Sequence, residues 1–281
     1  MKFRLSSTVV FSSLIGYLLG VDTVVFIDIC LLLVGGILVT GSANGFNQIV
    51  ERKYDKYMQR TAIRPLPMGN LSVIQALVFT TLIGLLGLYI LYNVTPGGGK
   101  SCLFGLLSIF LYVFAYTPLK RVSPIAIFVG AFPGAIPVLL GWVAATNDFG
   151  LAAGVLFAVQ FCWQFPHFIA ISWVLDEEYK KAGFKMIYGG KKGKYPAGVG
   201  LITSIGMTLL SVSPHFLNIE GFSLSIFGAI SIFVLGVWFS LRALRLYKAT
   251  DDISARTLML GSFLYLPLMQ IIYVLDKYLI Q

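Results

Sequence analysis

Nine apolar runs, at about 6–21, 23–46, 71–92, 101–117, 124–145, 150–175, 197–213, 222–241 and 258–275, decide most of what this chain can become. Each is near the roughly 20 residues that a helix needs to cross the hydrocarbon core of a bilayer. In lipid every backbone polar group must be satisfied within the chain, so the runs are predicted to be helices. Composition agrees: 57% of residues are hydrophobic, 12% are charged and the mean hydropathy is +0.85. The expected fold class is all-α, a polytopic membrane protein of about nine transmembrane helices in a single bundle around a central cavity, with residues 1–281 as one integral-membrane domain.

Lysine and arginine set the orientation. With the N-terminus in the cytoplasm, the segments after the second, fourth, sixth and eighth runs face the same side as Lys2 and Arg4. That side then holds nineteen of the 21 cationic residues, leaving only Lys100 and Lys277 opposite, a bias that fixes topology. The net charge of +9 is thereby explained by an anionic leaflet, without nucleic acid. The N-terminal Met-Lys-Phe-Arg-Leu-Ser-Ser-Thr has no small-residue cleavage site after a short apolar core and reads as the start of the first run. Cys30, Cys102 and Cys162 lie in apolar runs without metal or redox spacing and are expected to be buried thiols. Small-residue pairs (Gly16 and Gly20, Gly41 and Gly45, Gly130 and Gly134) suit close helix contacts. Pro124, Pro133 and Pro137 predict a bent fifth helix.

The chemistry concentrates where two of these helices exit. In the stretch from Asn47 to Pro65, Asn47, Glu51 and Asp55 are spaced i, i+4, i+8 and share one helical face. One amide and two carboxylates at a membrane edge, expected to face water, can hold Mg²⁺ together with the phosphates of a substrate. Arg52, Lys53, Lys56, Arg60 and Arg64 follow, and arginine is well shaped to grip phosphate. Charges at a helix exit also serve simply to orient the span. The single-face spacing favours a diphosphate site, and so does a second cluster after the sixth run: Asp176, Glu177, Glu178, Tyr179, Lys180, Lys181 and Lys185. Tyr116, Lys120 and Arg121, after the fourth run, offer a third wall. If one diphosphate is shared, the ends of the second and sixth helices must face one cavity. Asp55 and Glu178 would then line opposite walls, with an apolar slot of Phe and Leu below. His167 lies inside the sixth run; it is either functional or a histidine hydrogen-bonded to a neighbouring helix.

Together these residues resemble the UbiA-type intramembrane prenyltransferases. The family's first motif, Asn-xxx-Asp-xxx-Asp followed by Met, Arg-Thr and Arg-Pro-Leu, appears as Asn47, Glu51, Asp55, Met58, Arg60-Thr61 and Arg64-Pro65-Leu66. Within the family the chain is most similar to members that farnesylate heme. The signs are Tyr116-Thr117 with Leu119-Lys120-Arg121, the string Trp163-Gln164-Phe165-Pro166-His167-Phe168, and Tyr179 followed by Ala182-Gly183-Phe184-Lys185-Met186. There are two departures. Glu51 stands for the first aspartate, and Leu175-Asp176-Glu177-Glu178-Tyr179 stands for Tyr-Arg-Glu-Asp-Tyr.

The resemblance implies farnesyl transfer from farnesyl diphosphate to a vinyl group of heme B, giving heme O. Mg²⁺ would be held by Glu51, Asp55, Glu177 and Glu178, with Asn47 beside them and Asp176 a lesser member. Arg52, Arg60, Arg64, Lys120, Arg121 and Lys181 would bind departing oxygens, while Tyr116, His167 and Tyr179 would bind substrate. It also implies a bacterial plasma membrane location, with the active-site loops cytoplasmic, and association with heme-handling or terminal oxidase assembly proteins. A quinone-type or other aromatic acceptor is the alternative within the fold. A secondary transporter is the alternative outside it, but its site would lie at broken helices near the midplane, not at the edge.

Overall fold

The structure is a computed structural model that describes residues 3–217 and 219–280, with side chains from Ser7 onward. Expectations placed on Lys2 and on the Arg4 side chain lie outside the described residues. Nine long helices follow one another: α1 (Phe3–Gly20), α2 (Phe26–Asp55), α3 (Val73–Tyr92), α4 (Gly98–Val122), α5 (Ala126–Thr146), α6 (Leu151–Val174), α7 (Lys194–Ser211), α8 (Ile226–Ala249) and α9 (Asp252–Leu279). Among the described residues eight of these, α2 to α9, are long and apolar enough to cross a membrane, and α1 is a shorter apolar ninth.

Each helix packs on the next, and α9 closes the ring on α1. Three further contacts join non-consecutive helices, α1 with α5, α6 with α9 and α2 with α4. The first depends on glycine. A Cβ on Gly16 would lie 2.0 Å from the Val138 carbonyl oxygen, and one on Gly141 1.8 Å from that of Ser13. The two backbones therefore touch, as small-residue interfaces in membranes allow. α5 is the most buried of the spans and remains helical through Pro133 and Pro137; Pro124 falls just before it. The Gly134 carbonyl, between the two prolines, accepts from Gln160 Nε2 at 2.8 Å.

Two features position the site. α2 runs 30 residues, about 45 Å at 1.5 Å per residue, so its last turns outreach a hydrocarbon core of about 30 Å. α4 contains a π-helical turn at Leu111–Tyr116, an arrangement that recurs at functional sites. At the same end of the bundle α8 continues through Arg242, Arg245 and Lys248, and α9 begins before Arg256. The loop expected to carry these cations is only Thr250 and Asp251. Thr250 adopts the left-handed conformation at φ 51°, and Asp251 caps α9 by accepting from the Ser254 amide at 2.6 Å.

Candidate active site

No glycine or proline interrupts α2 between Phe46 and Asp55, so the i, i+4, i+8 spacing survives in the folded chain. Asn47, Glu51 and Asp55 lie on one face and are 0%, 5% and 0% exposed. That corrects the expectation of a water-facing stripe: the protein covers it. α4 supplies most of the cover. Its π turn shifts the register by one residue, with Thr117 Oγ1 donating to the Tyr112 carbonyl at 2.7 Å. Thr117 and Lys120 then face α2. Asn47 Nδ2 donates to Thr117 Oγ1 at 3.1 Å, and Lys120 Nζ meets Glu51 Oε1 at 2.7 Å. The ammonium sits 4.7 Å from the centre of the Tyr116 ring, a cation–π contact.

Arg64 closes the other end of the stripe. The chain turns back after α2 through a short helix at Gln59–Ala62, whose Thr61 hydroxyl donates to the Asp55 carbonyl at 2.8 Å. The residue before a proline is pushed out of the α region, and Arg64 is extended at φ −69°, ψ 152°. Its guanidinium reaches Asp55 Oδ2 at 2.7 Å. Both carboxylates of the first motif are thus paired with cations, Asp55 with Arg64 of the same motif and Glu51 with Lys120 of α4.

The second cluster arrives from α6. Leu175 leaves helical geometry (φ −100°, ψ 14°), and a new short helix starts at Asp176–Lys181. Successive side chains there rotate by about 100°, which separates the three acids. Asp176 is buried and paired with Lys180 at 2.7 Å. Glu177, expected among the metal ligands, has an 80% exposed side chain 3.7 Å from Lys180, so the structure does not bring it to the cluster. Glu178 is half-buried, and its Oε2 is buried without a hydrogen-bond partner among the described residues.

The chain then turns at Gly183 (φ +72°), where a side chain would be strained. It docks on α4, the Lys185 amide donating to the Lys120 carbonyl at 2.6 Å. Tyr54, Tyr116, Tyr179 and Phe184 belong to one aromatic cluster over both helix exits. Tyr179 senses both motifs. Burial raises its phenol above the usual tyrosine value, Lys120 and Arg60 pull it back, and Glu51 and Glu178 push it further up.

The remaining expected residues are placed as follows. Arg121 stacks 4.1 Å over the Tyr54 ring and donates to its hydroxyl. Arg60 is exposed but within electrostatic reach of Tyr179. Two cations are not brought to the cluster: Arg52 donates to its own helix at the Ile49 carbonyl, 2.7 Å away, and Lys181 is exposed. His167 is turned to α9, its Nδ1 2.8 Å from Ser262 Oγ, and stacks on Trp163 with ring centres 4.4 Å apart. The reading as a histidine hydrogen-bonded to a neighbouring helix therefore describes its geometry.

A cavity of about 480 Å³ opens beside the cluster, lined by Glu51, Tyr54, Thr117, Arg121 and Phe184 among others. It joins α2, α4 and the segment after α6, but Asp55 and Glu178 are not part of its lining. Deeper in, Phe157, Phe161 and Phe165 form a column on α6, and Phe128 and Phe132 of α5 pack against it. Sequence reading missed Tyr112, whose phenol lies within electrostatic reach of Lys120, Glu51 and Arg64. Its i, i+4 relation to Tyr116 was a visible signal, but the π turn that aims it was not.

Among the described residues no three acidic, histidine or cysteine side chains converge on one point. Yet Asn47 Oδ1, Asp55 Oδ1 and Glu178 Oε2 are all buried without a hydrogen-bond partner among those residues. Such hard oxygen donors fit Mg²⁺, which takes one or two carboxylates and completes its shell with phosphate and water. They fit an ion that arrives with its phosphate ligand. Glu51 tests the idea in the first motif. Glu51→Asp should keep appreciable activity because it retains the charge that Lys120 balances, whereas Glu51→Gln should lose on the order of 10²-fold in kcat/KM. Equal activity in the Gln variant and the parent would make Glu51 a helix-end structural residue.

Carboxylates, cations and buried oxygens thus gather where helices of the ring exit, as a candidate active site at the membrane edge. The chain belongs to the UbiA prenyltransferase family, whose model matches residues 9–266. It is 48% identical to the protoheme IX farnesyltransferase of Flavobacterium psychrophilum over 281 residues, 99% of this chain and 93% of that one. Its fold is similar to that of a digeranylgeranylglyceryl phosphate synthase (TM-score 0.80, 18% identity, 97% of this chain and 94% of that one). It is also similar to a UbiA homolog from Archaeoglobus fulgidus bound to DMAPP and Mg²⁺ (TM-score 0.66, 14% identity, 94% and 98%). The chain is a multi-pass membrane protein and a prenyltransferase.

Proposed function

We propose that this protein transfers the farnesyl group of farnesyl diphosphate to a vinyl group of heme B, giving heme O. The observation that carries the reading is the pair of buried ion pairs, Lys120–Glu51 and Arg64–Asp55, set among buried oxygens that no described residue serves. An incoming diphosphate lets each ion pair exchange partners: the cations take phosphate oxygens, and the carboxylates are released to a metal. The similarity to protoheme IX farnesyltransferases supports the acceptor and the prenyl donor.

Mg²⁺, when bound, neutralises the diphosphate and makes it a better leaving group. Asp55, Glu51, Glu178 and Asn47 are the residues proposed to hold it. Lys120, Arg64, Arg60 and Arg121 are proposed to receive the departing oxygens, and Tyr116 and Tyr179 to close the site over them. The bond from C1 of the farnesyl chain to the diphosphate oxygen breaks, and its electron pair leaves with the oxygen. The π pair of the vinyl group forms the new bond to C1, which places positive charge on the inner vinyl carbon. Water adds there and gives up a proton to the diphosphate, completing the hydroxyl-bearing substituent.

The aromatic column on α5 and α6 supplies a dry surface along the chain. From Phe157 to Phe165 it runs about 12 Å by helical rise, and Phe168 carries the aromatic surface on to about 16 Å, enough for a fifteen-carbon chain. His167 is proposed as a positioning residue: it braces Phe168, whose ring centre lies 6.3 Å from that of Tyr116. The basic side is proposed to face the cytoplasm of a bacterial cell, as the distribution of nineteen of the 21 cationic residues supports. Its product would pass to heme-handling or oxidase assembly proteins.

The test is to give purified protein heme B, farnesyl diphosphate and Mg²⁺ and to read the pigment by mass. Heme gaining a farnesyl group and a hydroxyl is expected. Unchanged heme, with prenylation of a quinone-type aromatic offered in parallel, would replace the acceptor but keep the class.

A further inference from the structure

α2 carries a fourth polar residue on the face of the first motif. Asn44 precedes Glu51 by seven residues, a rotation of about 20° on a 3.6-residue helix and a step of about 10 Å into the membrane. Asn44, Asn47, Glu51 and Asp55 therefore form one stripe, and Asn44 is only 3% exposed. Its neighbours on another face are used for packing: Ser42 Oγ donates to the Thr80 carbonyl of α3 at 2.9 Å, and Gly45 lies against the Thr80 side chain. The Asn44 amide is held by Nδ2 donating to the Thr40 carbonyl at 2.9 Å. Its Oδ1 is buried and has no hydrogen-bond partner among the described residues.

A buried amide oxygen without a donor is destabilising, and replacing it by an apolar group of the same shape would relieve that. Its retention calls for a reason outside stability. On the reading above, the leaving diphosphate is gripped at the level of Glu51 and Asp55, so the carbon it leaves lies on the membrane side, toward Asn44. We propose that Asn44 is a further catalytic residue, whose Oδ1 presents the negative end of a fixed dipole to the allylic carbon as the C1–O bond breaks. Asn44 exchanges no proton or electron; the electron pair goes to the diphosphate, and the new bond takes the acceptor's π pair. A dipole held in place beforehand in a dry site acts far more strongly there than in water.

The inference rests on the prenyl-transfer reading, and its test separates the two. Asn44→Leu and Asn44→Ala both remove the oxygen, but the first keeps the branched shape and fills the site, and the second leaves a cavity. Both should lower kcat by about 10- to 100-fold, with KM for farnesyl diphosphate within about threefold of the parent. Thermal stability should move in opposite directions, up in the Leu variant and down in the Ala variant. A kcat that tracks stability, a raised KM at unchanged kcat, or a Leu variant that is not stabilised would each overturn the inference. If the parent itself transfers no prenyl group, the functional reading is what fails. The stability of the Leu variant then still decides whether the oxygen has a structural partner.

Discussion

Asp55→Asn is expected to abolish prenyl transfer, by on the order of 10³-fold, while destabilising the bundle less than loss of the whole side chain does. Asp55 is fully buried, with one oxygen on Arg64 at 2.7 Å and the other without a hydrogen-bond partner among the described residues. The amide keeps the shape and can accept from Arg64 through its own oxygen, but it cannot bring the charge that a metal-bound diphosphate requires. Asp55→Ala should be equally inactive and less stable. Removing one partner of a buried pair leaves the other uncompensated, at a cost of about 3–5 kcal/mol, reduced here because the Arg64 side chain keeps 13% exposure. Thermal melts of both variants beside their turnover separate the two effects. Turnover near the parent's in the Asn variant would remove Asp55 from the mechanism.

The second large effect separates two adjacent glutamates. Glu178→Gln should cost about 10²- to 10³-fold in kcat/KM, and Glu177→Gln should stay within about twofold of the parent. The Glu178 carboxylate keeps a buried oxygen with no partner, whereas the Glu177 side chain is 80% exposed beside an exposed lysine. Steady-state kinetics on the two variants decides it. The reverse ranking would mean that the short helix after Leu175 rotates when substrate binds.

The architecture was legible because membrane helices announce themselves by length and apolarity, and the acidic stripe because helical periodicity persists wherever nothing breaks the helix. Asn47, Glu51 and Asp55 share a face in the folded chain for that reason. The second motif was less legible because Leu175 ends one helix and starts another, so the register of α6 does not extend to Glu177 and Glu178. The π turn in α4 leaves no mark on hydrophobic periodicity, yet it aims Tyr112, Thr117 and Lys120 at α2. Spacing alone also assigns carboxylates to metal and cations to phosphate. Without substrate the cheaper arrangement in a low dielectric is for them to pair with each other, as Lys120 with Glu51 and Arg64 with Asp55 do. The last loop was misjudged because amphipathic helix ends carried Arg242, Arg245 and Lys248 within α8.

Residues from two distant exits are proposed to serve one metal and one diphosphate. Mn²⁺ can stand in for Mg²⁺, and its binding can be read by electron paramagnetic resonance with a non-reacting thio analogue of farnesyl diphosphate. The parent protein should bind Mn²⁺ weakly alone and tightly once the analogue is present, because the ion arrives with its phosphate. Asp55→Asn and Glu178→Gln should each lose about 10- to 100-fold of that affinity, and Glu177→Gln should lose none. Undiminished Mn²⁺ binding in Glu178→Gln, with the loss confined to Asp55→Asn, would contradict a shared site.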